Sequence, residues 1–147
     1  MIDYMINPIL MGGLVKDVFE DQVMVHLHGR LGVLTVPKRL VRAGEEVLPG
    51  HEMMFYFSYI QVVSEAYDYD STSMRTEQEL TPSLLGGVIT EVNDTAAKVK
   101  IMEHMGTIAV PRRWMFTDTA LAPGQLVEFY LSPMQVTGKR DIPQECI

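Results

Sequence analysis

Leu84-Leu85-Gly86-Gly87-Val88-Ile89 repeats Leu10-Met11-Gly12-Gly13-Leu14-Val15, which lies 74 positions upstream. The same ungapped offset pairs Val36-Pro37-Lys38-Arg39 with Val110-Pro111-Arg112-Arg113, and Pro49-Gly50 with Pro123-Gly124. It also pairs Phe55-Tyr56-Phe57-Ser58 with Phe129-Tyr130-Leu131-Ser132 and Gln61-Val62 with Gln135-Val136. Between residues 7–63 and 81–137, 17 of 57 positions are identical, and most other apolar positions stay apolar. Internal similarity of this extent predicts two copies of one structural unit.

Within each copy, short alternating runs predict strands. Val23, Val25 and Leu27 fall on one face of such a run, with Met24, His26 and His28 on the other. The second copy has Ala97, Val99 and Ile101 against Lys98, Lys100 and Met102. The branched set is assigned to the core because it keeps its character in both copies, and the His/Lys set to the outside. Gly32 and Gly106 open the next strands, Leu31–Val36 and Met105–Val110, where a bulge or bend suits a small barrel. Pro37 and Pro111 then end the ladder and start short helical turns, expected over Lys38–Ala43 and Arg112–Thr117. Pro49-Gly50 and Pro123-Gly124 fit type II turns. The last apolar regions, Met53–Val63 and Val127–Thr137, are long enough to break near Ser58-Tyr59 and Ser132-Pro133.

The expected fold is therefore all-β: two tandem, internally duplicated small β-barrels, each of about five strands with one short helical turn. Closure removes exposed strand edges. SH3-like and OB-like topologies both fit. The expected layout is a first barrel over 1–63, an acidic linker over 64–80, a second barrel over 81–137 and a C-terminal tail over 138–147. Met1–Ile6 reads as an apolar lead-in, and Tyr67 or Tyr69 could pin the linker to a barrel.

The pattern Leu-x-Gly-Gly-x-x-x-x-Val, followed by alternating branched residues and Pro-Gly-x-x-x-x-Phe-Tyr, resembles the molbindin and TOBE modules. Gly13, Val18, Gly50, Phe55 and Val62 carry it in the first copy. Gly87, Val92, Gly124, Phe129 and Val136 carry it in the second. The resemblance implies small OB-type barrels, often in tandem, that bind oxyanions such as molybdate or decorate transporter ATPases. Those modules carry a lysine where this chain has Ser58 and Ser132, so no ligand residues are carried over.

The net charge of −7 over 147 residues opposes non-specific binding to phosphate backbones. The basic pairs Lys38-Arg39 and Arg112-Arg113 stand out against it. Each follows a proline at the start of a turn, where amide hydrogens and guanidinium donors suit an anion or an acidic partner segment. The competing reading is pairing with acidic groups of the same chain. His26 and His28 share a strand face, a spacing metals use, but a third ligand such as His51 would have to come from elsewhere. No metal and no cofactor is expected. Trp114 and Phe116 replace Leu40 and Arg42 in one copy only, which marks them for a seam between barrels or a subunit interface.

No nucleophile elbow, phosphate loop, HExxH or CxxC is present, so no catalytic residues are assigned and the chain is not expected to be an enzyme. The lone Cys146 cannot form an internal disulfide. No apolar run approaches the 18 or so residues of a membrane span, and a cytoplasmic address is the default. The expected function is a non-enzymatic binding or assembly module that presents duplicated surfaces to a protein partner, to a second copy of itself, or to a small anion. A nucleic-acid binder using the basic turns with Tyr56, Tyr59 and Tyr130 is the alternative from a different class.

Overall fold

A computed structural model describes residues 6–30, 32–42, 46–65, 69 and 81–139, except the side chains of Arg30 and Lys139. The lead-in Met1–Met5, Tyr67, most of the linker, residues 140–147 and Cys146 lie outside the described residues. The first copy supplies β1 (Ile9–Val18), β2 (Gln22–Leu27), β3 (Val33–Pro37), β4 (Val41–Arg42), β5 (His51–Phe57) and β6 (Ile60–Val63). The second supplies β7 (Ser83–Val92), β8 (Ala96–Ile101), β9 (Thr107–Pro111), β10 (Met115–Phe116), β11 (Leu126–Leu131) and β12 (Met134–Lys139). From β1 to β4 every boundary recurs at the same offset in β7 to β10. The protein is all-β.

The period-two pattern decides which side chains are inside. Val23, Val25, Val99 and Ala97 are buried to within 1% of complete, and Lys98 and Lys100 are exposed. A strand alternates faces, so burying one set turns the other outward. The helical turns are shorter than expected, three residues each (Lys38–Leu40 and Arg112–Trp114). The chain then returns to extended backbone at Val41 and Met115, because β4 and β10 gain strand partners there. Gly50 and Gly124 have φ of 97° and 92°, as a type II turn demands. Register shifts fall between Val15 and Asp17, between Ile89 and Glu91 and between Val136 and Gly138, not at Gly32 or Gly106.

Pairing runs antiparallel through β3-β2-β1-β5-β12, and β4 joins β12 in parallel. Since β4 continues the path of β3 beyond one turn, this closes a five-membered barrel. The parallel closing pair suits the OB-type of the two topologies. The fifth member, however, belongs to the other copy. β12 pairs with β5 and β4, while β6 pairs with β11 and β10. Each copy therefore gives its final strand to its neighbour.

Two further contacts join the copies. β3 pairs with β9 through Leu34 and Ile108, and β5 meets β11 through Phe57 and Leu131. Both bridges link equivalent positions, and contacts of a site with its own counterpart arise about a two-fold axis. The buried apolar residues of both copies form one continuous cluster, in which Phe55, Phe57 and Phe129 are among the largest side chains. Sharing one core addresses the marginal burial available to units this small.

Where the exchanged strands cross, the ladder is completed by serines. Ser58 and Ser132 are fully buried. Ser132 Oγ accepts from Tyr56 N–H and Ser58 Oγ accepts from Tyr130 N–H, both at 2.8 Å. Each hydroxyl donates to the next carbonyl of its own chain, on Tyr59 and Pro133 respectively, also at 2.8 Å.

The Pro-Gly turns are tied down in two chemically different ways. Leu48 N–H donates to His51 Nδ1 at 3.0 Å, and Ala122 N–H donates to Gln125 Oε1 at 2.9 Å. The acceptor occupies the same place in both copies, so His51→Gln should leave stability within about 0.5 kcal/mol. His51→Ala, which removes the acceptor and empties a buried site, should cost about 1–3 kcal/mol. Urea unfolding of both variants checks this; equal losses would show that the acceptor is irrelevant.

Candidate functional site

The first basic turn is built by strand termination. Pro37 ends β3 opposite Gln22, and Lys38 N–H donates to Asp21 O at 2.9 Å. Buried Leu40 anchors the turn, which leaves Lys38 half-buried and Arg39 exposed. That first amide is already engaged and is not a donor for a ligand. The cationic side chains are what remains to act.

Across the β3–β9 junction stands the turn Met102–His104 of the second copy. Glu103 and His104 both hold positive φ, 54° and 57°, where the first copy has Gly29 at 75°. A non-glycine residue there carries about 1–3 kcal/mol of strain and persists only where its surroundings hold it. Arg39 Nη2 donates to Glu103 O at 3.4 Å, bridging the copies. Lys38, Arg39 and His104 thus border a cleft of about 550 Å³ that is also lined by Pro37, Gln22, Asp21 and Glu20. Two cations of the first copy and an imidazole of the second share it with two carboxylates.

The second basic turn differs. Arg112 N–H donates to Thr95 O at 3.1 Å, matching the first copy, but Arg112 Nη1 is held by Asn93 O at 3.1 Å. Asn93 Oδ1 accepts from the amides of Thr95 and Ala96, fixing a local turn. Arg113 is exposed. The β3–β9 register, continued outward, sets Arg112 and Arg113 opposite Arg30 and Gly29, so the basic pairs lie at opposite ends of the junction and do not meet.

Trp114 is 8% exposed and its indole N–H donates to Ser58 O at 3.0 Å, on the other copy. Its ring lies 4.1 Å from that of Tyr59, and Tyr59 stacks on Phe116 at 4.4 Å. These residues sit between the copies, and Tyr59 is covered rather than displayed.

His28 is exposed and packs over Gly12, while His51 is buried in its turn. Among the described residues no group of three or more His, Cys, Asp or Glu is placed to hold a metal. His26 has its pKa lowered by burial and by Lys16, with Asp17 partly opposing. Its neutral form is therefore the one the fold prefers, and the unfolded chain binds the proton more readily. This contribution to stability is complete above the ordinary histidine pKa of 6.5 and is lost as pH falls through the lowered value. Denaturant titrations at stepped pH should show wild type losing stability below about pH 6.5 more steeply than His26→Gln. Parallel curves would refute the assignment.

Sequence reasoning found Lys38 and Arg39 but passed over His104. Its signal was the repeat frame itself, because position 104 is equivalent to Arg30 and both are basic.

No family model matches the chain, and no curated protein matches it. Among solved structures it is similar to the cytoplasmic molybdate-binding protein ModG in a molybdate-bound crystal form, at 15% identity and a TM-score of 0.29. That similarity spans 87% of this chain and 95% of the other. No described helix is long and apolar enough to cross a membrane.

Proposed function

We propose that the protein is a non-enzymatic binding module that takes a small oxyanion in the cleft between Lys38, Arg39 and His104. The convergence of Lys38 and Arg39 with His104 of the other copy on one concave site carries this reading. A guanidinium offers planar paired donors beyond the one Arg39 spends on Glu103, and lysine adds a mobile point charge. Glu20 and Asp21 keep the net charge of the cleft low. They admit a compact anion held by direct donors and disfavour a polyanion, whose flanking phosphates would meet the two carboxylates. The covered position of Tyr59 removes one of the three rings a stacking platform would need, which weighs against nucleic acid.

Calorimetric titration at low salt with molybdate, sulfate and phosphate tests this reading. At least one should bind saturably, one per chain, and weaken as salt rises. Arg39→Glu should weaken that binding by about tenfold or more, since reversal of one close charge is commonly worth more than 1.4 kcal/mol. Arg113→Glu, at the far end of the junction, should leave it within about twofold. Absence of binding, or equal loss in both variants, would overturn the assignment.

A protein partner or self-association is the second reading. Leu10 and Met54, at 46% and 36% exposure on one face of the β1–β5 pair, supply its apolar contact area. Sedimentation across a concentration series would show it.

A further inference from the structure

The second copy carries an apolar cavity of about 440 Å³. Gly86 and Tyr69 both line it, and the ring of Tyr69 covers that glycine. A Cβ at residue 86 would stand 2.4 Å from the ring. Tyr69 is fixed in place because its hydroxyl donates to Glu128 Oε2 at 3.0 Å, and Gln61 donates to the other oxygen of the same buried carboxylate. Met102 Sδ accepts from Gly86 N–H at 3.2 Å and is held to one side. In the first copy the equivalent glycine, Gly12, is covered by the ring of His28, whose Cδ2 would be 2.7 Å from a Cβ there. Each copy thus covers this glycine with a ring, but of a different residue: the strand-end His28 in the first and Tyr69 in the second.

The remaining walls are Val88, Ile101 and Leu126, and the polar groups at the rim are Lys100, Glu103 and His104. Apolar walls with few polar groups, at a volume within the usual range for small-molecule pockets, describe a ligand site rather than a packing defect. We infer that this cavity binds a small amphipathic monoanion, its apolar body against Tyr69 and Val88 and its carboxylate or sulfonate at exposed Lys100. This site adjoins the oxyanion cleft, since His104 lines both, but the two are told apart by Arg39, which lines only the cleft, and Lys100, which lines only the cavity.

The probe is 8-anilinonaphthalene-1-sulfonate, titrated into the full chain and followed by its fluorescence. A single saturable site per chain is expected. Val88→Trp, which fills the mouth, should weaken binding by about tenfold or more. Leu14→Trp, the equivalent change in the first copy, should not alter it. Lys100→Glu, a surface change that leaves the core untouched, should weaken the sulfonate probe by about fivefold or more while leaving neutral 1-naphthol unaffected. The inference is overturned by non-saturating fluorescence, by equal loss in the two tryptophan variants, or by insensitivity to Lys100→Glu. It is also overturned if wild type self-associates on dilution series and Val88→Trp abolishes that, because the cavity would then be a contact between copies of the chain.

Discussion

Gly106→Ala is expected to cost about 2–5 kcal/mol, adding the strain of a positive φ to the overpacking of a close backbone contact. Gly106 has a φ of 104°, and a Cβ there would lie 1.8 Å from Thr35 O. Gly32 is its mirror, with a φ of 122° and a Cβ position 2.1 Å from Ala109 O. Neither obstacle is a flexible side-chain end; both are backbone of the opposite copy, so relief requires the β3–β9 junction to separate. For a protein of this size the loss corresponds to a fall in melting temperature of about 5–20 °C. Gly124→Ala is the control: its φ of 92° is also positive, but nothing lies within 4 Å of a Cβ there. It should show the strain alone, about 1 kcal/mol. Equal losses at positions 106 and 124 would mean that the junction is not the close contact described.

The second large effect is expected at the strand crossing. Ser132→Ala leaves Tyr56 N–H without its 2.8 Å acceptor, and Ser58→Ala does the same to Tyr130 N–H. An unsatisfied donor in a buried position costs about 1–3 kcal/mol. Each single variant should lose that much in denaturant unfolding. The double variant should depart from additivity, because the two sites share one crossing. Ser→Cys at either position tests chemistry against volume, since a thiol fills the space but accepts poorly. Retained stability in the alanine variants would show that the amides find other partners and that the serines do not hold the crossing.

The offset between Gly12-Gly13 and Gly86-Gly87 foretold the recurrence of nearly every strand boundary. The alternation around Val25 and Val99 foretold which face is buried. Both are local signals, written in the spacing of side chains along one strand. The break at Ser58-Tyr59 was also legible. The destination of the strand beyond it was not, because β6 presents the same alternation whichever β5-like strand it pairs with. Gly32 and Gly106 are legible as conformational exceptions, at a bulge or a bend, but not as a close contact. Their need is set by a backbone from a distant part of the chain, which no local pattern reports. The same limit applies at the functional clefts. Lys38 and Arg39 advertise themselves as a repeated pair and Tyr69 as a residue able to pin the linker, whereas which groups His104 and Tyr69 meet is set only once the fold brings the former across the junction and lays the latter on Gly86.

Backbone nuclear Overhauser contacts in the folded protein would decide whether the copies exchange their final strands. Cross-strand contacts are expected between Val62 and Val127 and between Val136 and Met53, following the β6–β11 and β5–β12 ladders. Contacts of Val62 with Met53 and of Val136 with Val127, each strand staying within its own copy, would contradict the account.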